Sequence, residues 1–242
     1  MRPGMAFSLL VALAAACGDG SSATADDAGG VDPDAALDAH GDVVIAMGRY
    51  LPLAVGASWT YRVTDLSTTE VTEKTQAVET FEDVGGRHPG VMAFRLRSEK
   101  ASGYTLSWQQ DTGTAIVRHR EQSFDALDVM ESEEWYDPSK LRLDEGAESI
   151  AADAAFTEDY IETHIDGPTS VETMTGRQNQ WTVEAVDELV TVPAGTFSCL
   201  HLHRVGSELG QSDKRYWFAR GVGKVKESGG KLEELSEYSV PE

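Results

Sequence analysis

Basic residues are scarce in this sequence. Only 20 Lys and Arg stand against 41 Asp and Glu, which gives a formal net charge of -21 over 242 residues. A nucleic-acid binder needs a basic face that neutralises phosphates, so this composition excludes nucleic acid as a partner. The content of 40% hydrophobic and 8% aromatic residues is that of a folded domain rather than a disordered chain.

The N-terminal apolar stretch is short, and the whole sequence has only two cysteines. The apolar stretch over residues 6–16 is about half of the roughly 20 residues that a spanning helix requires, so a permanent transmembrane anchor is not expected there. Arg2 precedes this stretch and small residues end it, a pattern typical of a removable secretory signal. The only cysteines are Cys17, directly after the stretch, and Cys199.

The end of the apolar stretch reads Leu-Ala-Ala-Ala-Cys over residues 13–17 and resembles the lipobox of bacterial lipoproteins. The resemblance implies a signal peptide over 1–16 and a mature chain that begins at a lipidated Cys17. It departs from the family pattern at Ala14, where a large aliphatic residue is usual. If Cys17 is acylated, Cys199 has no partner for an internal disulfide. Ordinary secretion with an incidental Cys17 is the alternative.

The segment after Cys17 has the composition of a spacer. Residues 18–43 hold seven Asp, no Lys or Arg and no aromatic residue. Such a segment cannot bury enough apolar area to offset its ordering entropy. We therefore expect a disordered acidic tether over 17–43 that joins a lipid anchor in the membrane to one domain over 44–242. Gly18 in place of Asp favours the outer membrane of the cell envelope, by the resemblance to lipoproteins.

The domain shows the period-two alternation of β-strands. Apolar and polar residues alternate over 92–97, 104–109, 181–185 and 197–205, and Gly- and Pro-containing turn signals separate these runs. The pattern predicts a mainly β domain with a single strongly curved antiparallel sheet, a half-barrel or open barrel, although a β-sandwich also fits. An Ala-rich patch over 148–155 predicts a long covering loop or a short helix.

Three phrases together resemble a known group of sequences. They are LPLAVGASWTY at 51–61, VPAGTFSC at 192–199 and YWFARGVGKVK at 216–226. The chain is similar, from about Tyr50 to Tyr238, to a family of bacterial lipoproteins and secreted proteins without an assigned function. By analogy, the resemblance implies a fold similar to lipoprotein-carrier domains, in which a half-barrel holds acyl chains under a lid. It carries over no catalytic residue.

Two sets of residues are candidates for a site. The candidates for a ligand-facing surface are Trp59, Tyr61, Trp108 and Trp217, all of which also suit core packing. A metal site is a weaker candidate: Cys199, His201 and His203 recur at spacing two, but their ends lie roughly 13 Å apart on a strand, too far to share one ion. Only His201 and His203, with a carboxylate from another strand, remain as metal candidates, and no cofactor is expected.

Catalytic motifs are absent from the sequence. It has no Gly-x-Ser-x-Gly or His-Glu-x-x-His pattern. We therefore expect a non-enzymatic, lipid-anchored envelope protein that presents a curved sheet to a hydrophobic or protein ligand. The alternatives are a structural or interaction protein with a filled core, and a metal-dependent hydrolase centred on His201 and His203.

Overall fold

The computed structural model describes residues 35–37, 43–45, 48–206 and 213–241, and all regular elements in these ranges are antiparallel strands. The strands are β1 (Ala35–Leu37), β2 (Val43–Ile45), β3 (Ser58–Asp65), β4 (Val71–Gly85), β5 (His88–Lys100), β6 (Gly103–Asp111), β7 (Ala115–Asp125), β8 (Met130–Asp144), β9 (Ala155–Asp166), β10 (Glu172–Val192), β11 (Gly195–Gly206), β12 (Lys214–Ala219), β13 (Gly223–Ser228) and β14 (Lys231–Ser239). Within the described ranges, the search for a helix long and apolar enough to span a membrane finds none.

Strands β3 to β14 form a closed barrel of twelve strands. Each strand from β3 to β13 pairs with the next one in the chain, and β14 pairs back with β3. This last ladder runs from Ser58 opposite Ser239 to Asp65 opposite Lys231. The mainly β, antiparallel prediction is confirmed, but the half-barrel or open barrel is wrong. Closure pairs the backbone groups that an open sheet would leave at its two edges.

The two short strands lie outside the barrel ladder. β1 pairs with β2, and Leu37 of β1 is opposite Thr196 of β11. These strands lie within and at the end of the segment expected to be a tether, 17–43. The expected signal peptide, 1–16, and Cys17 lie outside the described residues.

The Ala-rich patch over 148–155 lies in the connection 145–154 between β8 and β9, apart from Ala155, which begins β9; the connection contains turns and no helix. One turn is closed by the Ile150 amide, which donates to Gly146 O at 3.1 Å. Ile150 and Ala154 pack against an apolar cluster that includes Trp181 and Phe218. Of the two predicted alternatives, the short helix is wrong and the segment is a loop, because a segment this short, fixed to a strand at each end, gains little from helical hydrogen bonds.

The three phrases at 51–61, 192–199 and 216–226 meet in one apolar cluster. Its members from these phrases are Leu53, Ala57, Trp59, Tyr61, Val192, Ala194, Phe197, Cys199, Trp217, Ala219, Val222 and Val225. Trp59 Nε1 donates to Val222 O at 2.5 Å, and Tyr61 Oη donates to Lys224 O at 3.1 Å. Packing therefore gives these residues a structural role independent of any ligand.

Candidate ligand-binding cavity

The barrel contains a cavity of about 730 Å³. This volume lies within the range of about 300–1,000 Å³ that is typical of small-molecule sites. Leu51 and Phe218 line the cavity and belong to the apolar cluster that contains Trp181. Lys100 and Lys231 also line it but are exposed, at the β5–β6 and β13–β14 turns. The cavity therefore reaches solvent at the end of the barrel that carries these turns.

The lining of the cavity is rich in positive charge, although the chain is acidic. Nine Lys or Arg line it against five Glu, so nearly half of the 20 basic residues in the chain face this one space. The basic residues are Lys74, Lys100, Arg118, Lys140, Arg142, Arg204, Lys214, Lys224 and Lys231. The acidic ones are Glu73, Glu99, Glu121, Glu227 and Glu233.

Some of these charges neutralise one another. Lys224 Nζ lies 2.5 Å from Glu227 Oε2 and 2.6 Å from Glu233 Oε2. Lys74 Nζ reaches Glu233 at 2.8 Å, and Lys214 Nζ reaches Glu227 at 2.5 Å. Burial opposes ionisation of Glu233, but the charges of Lys224 and Lys74 outweigh it and lower its pKa to about 2. In this network two carboxylates therefore hold three ammonium groups, and each ammonium group has an acid partner.

A second group of cations has fewer acids within reach. We term it the cationic cluster, and its members are Arg118, Lys140, Arg142 and Arg204. Arg118 forms an ion pair with Glu121. Lys140 Nζ lies 4.0 Å from Glu162 Oε2, while Arg177 holds the other oxygen of that carboxylate at 2.7 Å. The two acids therefore compensate only part of the charge.

Arg142 and Arg204 carry the surplus. Neither guanidinium forms a hydrogen bond or ion pair with another residue of the described ranges, and the Nε atom of each is buried without an acceptor. Arg204 instead lies over the rings of Trp181 and Tyr216, 5.6 Å from each centroid. Burial and the charge of Arg118 lower the pKa of Arg142 by more than Tyr216, Glu227 and Glu121 raise it, although none of these three forms an ion pair or hydrogen bond with it. Arg142 is half-buried by area because it borders the cavity, while protein surrounds it on its other sides.

Two of the four aromatic candidates line the cavity. Trp59 and Tyr61 are almost fully buried on β3 and border it. The ammonium groups of Lys74 and Lys224 lie 5.6 and 5.0 Å from the centre of the Tyr61 ring. Tyr61 thus presents an aromatic face to the paired lysines.

Trp108 does not border the cavity. It packs with Trp135 in a separate small cluster, and the Arg120 guanidinium lies between them, 4.5 and 4.7 Å from the two ring centres. Trp108 Nε1 donates to Glu82 at 3.0 Å. These contacts give Trp108 a packing role.

Trp217 and the histidine pair lie together, also outside the cavity lining. The imidazole of His201 stacks on Trp217 with 4.1 Å between ring centres, and its Nδ1 lies 2.7 Å from Glu188. His203 Nε2 lies 2.7 Å from Asp213. Among the described residues, no group of three or more His, Cys, Asp or Glu is arranged to hold a metal ion.

Cys199 is buried beside this pair. Burial raises the pKa of its thiol, with a smaller contribution from Glu188. The neutral, enclosed thiol behaves as a small apolar side chain of the cluster that holds Trp59.

The basic lining was not identified from the sequence. Lys214, Tyr216 and Phe218 alternate on β12 and all line the cavity, whereas Trp217 between them does not. The signal available in the sequence was therefore a basic residue two positions away from an aromatic residue, on the same face of the strand. It was missed because charged residues on a strand usually face solvent.

No protein-family model, curated protein or solved structure matches this chain.

Proposed function

We propose that this protein is a lipid-anchored protein of the cell envelope whose barrel binds a small ligand without transforming it. The observation that carries the proposal is the cavity of about 730 Å³ within the closed barrel. A closed sheet fixes its lining residues in place, and a ready-formed site loses less conformational entropy when a ligand binds.

The location in the proposal comes from the sequence. The lipobox-like residues ending at Cys17 would place an acyl anchor at the start of the mature chain. Several acyl chains hold a protein stably at a membrane, and an acidic tether would separate the barrel from the lipid surface. We favour the outer membrane.

The lining narrows the class of ligand. Trp59, Leu96 and Phe218 offer apolar or aromatic surface, but charged side chains line much of the remaining cavity. A bare hydrocarbon would desolvate those charges without replacing their hydrogen bonds. The ligand we propose therefore has a polar group as well as an apolar part.

The alternatives receive less support. A barrel filled by its own aromatics would leave no space of this size. A hydrolase centred on His201 and His203 would need imidazoles directed at a metal or substrate, but both rings contact carboxylates of the protein. Neither His201 nor His203 borders the cavity.

The proposal is tested by recovering the ligand. The full chain would be purified from an envelope-bearing host, together with Ser98→Trp, which places a large ring at a residue that lines the cavity. Mass spectrometry of the molecules released on denaturation should find one small molecule at near-equimolar amount with the native chain and much less with Ser98→Trp. Ser228→Trp, at a serine that does not line the cavity, is the matched control. Release of nothing, or of equal amounts by all three chains, would count against ligand binding in the barrel.

A further inference from the structure

The four members of the cationic cluster converge on one part of the cavity wall. Arg118 of β7 and Lys140 of β8 are opposite each other in the ladder, and Arg142 follows two residues later on the same strand. Arg204 comes from β11, and its charge, like that of Arg118, adds to the effect of burial in lowering the pKa of Lys140. Two separate parts of the barrel therefore direct positive charge into the same space.

The protein neutralises this charge only in part with its own described acids. Glu121 pairs with Arg118, and Glu162 is shared between Arg177 and Lys140. Arg142 and Arg204 have no acid partner in the described ranges. A buried cation without a counter-charge is unfavourable, because the lost hydration is not replaced. An anion bound in the cavity would remove this cost.

The chemistry of arginine indicates which anion. A guanidinium presents several N–H donors in a planar fork that matches the oxygens of a carboxylate or phosphate, and the pairing is strongest away from water. A metal cation would be repelled here, and a neutral ligand would leave the surplus charge uncompensated. Tyr216 and Phe218 line the cavity as well and offer contact to an organic body.

We infer that the cationic cluster is an oxyanion site, in which Arg142 and Arg204, with Lys140 and Arg118 beside them, bind the carboxylate or phosphate group of the ligand. This inference rests on the proposed function and specifies its ligand as an anion. Arg142 is the member on which binding depends most, since it borders the cavity and has no partner of its own.

Binding of matched probes to the full chain, measured by isothermal titration calorimetry, tests the inference. The probes are 4-butylbenzoate, 4-butylphenyl phosphate and the uncharged 4-butylbenzamide. We expect at least one charged probe to bind tenfold or more tightly than the amide, because charge-assisted hydrogen bonds replace neutral ones. Inorganic phosphate that displaces the charged probe would indicate a free oxyanion as ligand, and failure to displace it would indicate an organic anion; both results support the site.

Substitution of the arginines locates the site. Arg142→Met should weaken binding of the charged probe at least tenfold and leave binding of the amide within about twofold, as expected for loss of one charge-assisted contact. Arg204→Gln should act in the same direction and serves if Arg142→Met does not fold. Arg62→Met, at an exposed residue that does not line the cavity, should change neither affinity.

Two outcomes would overturn the inference, and they differ in what they leave standing. If the amide binds as tightly as the charged probes, or if Arg142→Met and Arg204→Gln weaken all probes equally, the oxyanion site is wrong while ligand binding in the barrel stands. If no probe binds and no molecule is recovered from the purified chain, both the inference and the proposed function fail.

Discussion

Arg118 and Arg142 are two partly buried cations in the wall of one cavity, close enough for the charge of Arg118 to lower the pKa of Arg142 beyond the effect of burial. Only Arg118 has an acid partner, Glu121. The two arginines therefore differ in one respect: the protein supplies an ion-pair partner for Arg118 but none for Arg142.

Removal of each arginine from the unliganded protein should have opposite effects. Arg142→Met removes a buried charge without a partner, and we expect the free energy of unfolding to rise by about 1–3 kcal/mol. Arg118→Met leaves the partly buried Glu121 without its ion-pair partner and should lower the free energy of unfolding by about 3 kcal/mol. Urea denaturation near pH 7 measures both. Equal destabilisation by the two substitutions would show that Arg142 is not in surplus.

The network around Glu233 should contribute to stability in a pH-dependent way. The pKa of Glu233 is about 2 in the folded chain against an ordinary 4.5, because Lys224 and Lys74 outweigh the effect of burial. Its contribution is therefore fully present above pH 4.5 and is lost as the pH falls towards 2. We expect Glu233→Gln to cost about 3 kcal/mol at pH 7 and much less near pH 2, measured by denaturant unfolding. The exposed Glu70→Gln is the control and should stay within about 0.5 kcal/mol of the wild type at both pH values.

Lys140 should act in the same direction as Glu233 but in a higher pH range. The charged and titratable groups that face it are Arg118, Arg204, Glu162, Glu121, Tyr136 and Tyr160. Burial, then Arg118 and Arg204, lower its pKa from 10.5 to about 8. Between these values the unfolded chain keeps the proton that the folded chain has lost, so this residue makes stability rise with pH.

Two measurements check this behaviour. Between pH 8 and 10.5, the free energy of unfolding of the unliganded chain should rise less in Lys140→Met than in the wild type. Some rise should remain in the variant, because Lys74 also has a pKa of about 8. Affinity for 4-butylbenzoate should fall as the pH rises through about 8, since Lys140 loses its charge. If the affinity stays unchanged between pH 7 and 9.5, the anion binds away from Lys140.

Trp59 leaves no room for a side chain at Gly223, the first residue of β13. Gly223 has φ of +108°, and a Cβ there would lie 3.0 Å from Trp59 Nε1. We expect Gly223→Ala to lower the free energy of unfolding by about 1–3 kcal/mol, through backbone strain and displacement of Trp59. Gly176→Ala, in strand β10 with nothing within 4 Å of its Cβ position, should be neutral or stabilising. Chemical denaturation of the two variants compares them directly.

Local signals predicted the strands well. The alternating runs over 92–97 and 104–109 lie in β5 and β6, and the Pro193–Gly195 signal forms the tight connection between β10 and β11. The sequence His-Pro-Gly at 88–90 also has the composition of a turn, but these residues begin β5. There the turn lies earlier, at Gly86 and Arg87, and the positive φ angles of Gly85 and Gly86 suit the reversal of the chain.

Closure and charge placement could not be found by local inspection. Closure depends on the pairing of Tyr61 with Leu235, residues far apart in the chain, and a shift in register after Leu235 interrupts the alternation on β14. The direction of Arg118 and Arg142 depends on the barrel being closed, because in an open sheet the same positions would face water. Of the four aromatic candidates, Trp59 and Tyr61 line the cavity and Trp108 and Trp217 do not, and the local alternation does not distinguish the two pairs.

The most direct test of the account is the thermal midpoint of the full chain with 4-butylbenzoate, compared between the wild type and Ser98→Trp. A ligand at about 100 times its Kd adds about 2.7 kcal/mol to the stability of the folded state, which raises the midpoint by about 5–10 °C for a chain of this size. We predict such a rise in the wild type and little or none in Ser98→Trp, in which the ring occupies the cavity. An equal rise in both chains would place the anion outside the barrel and contradict the account.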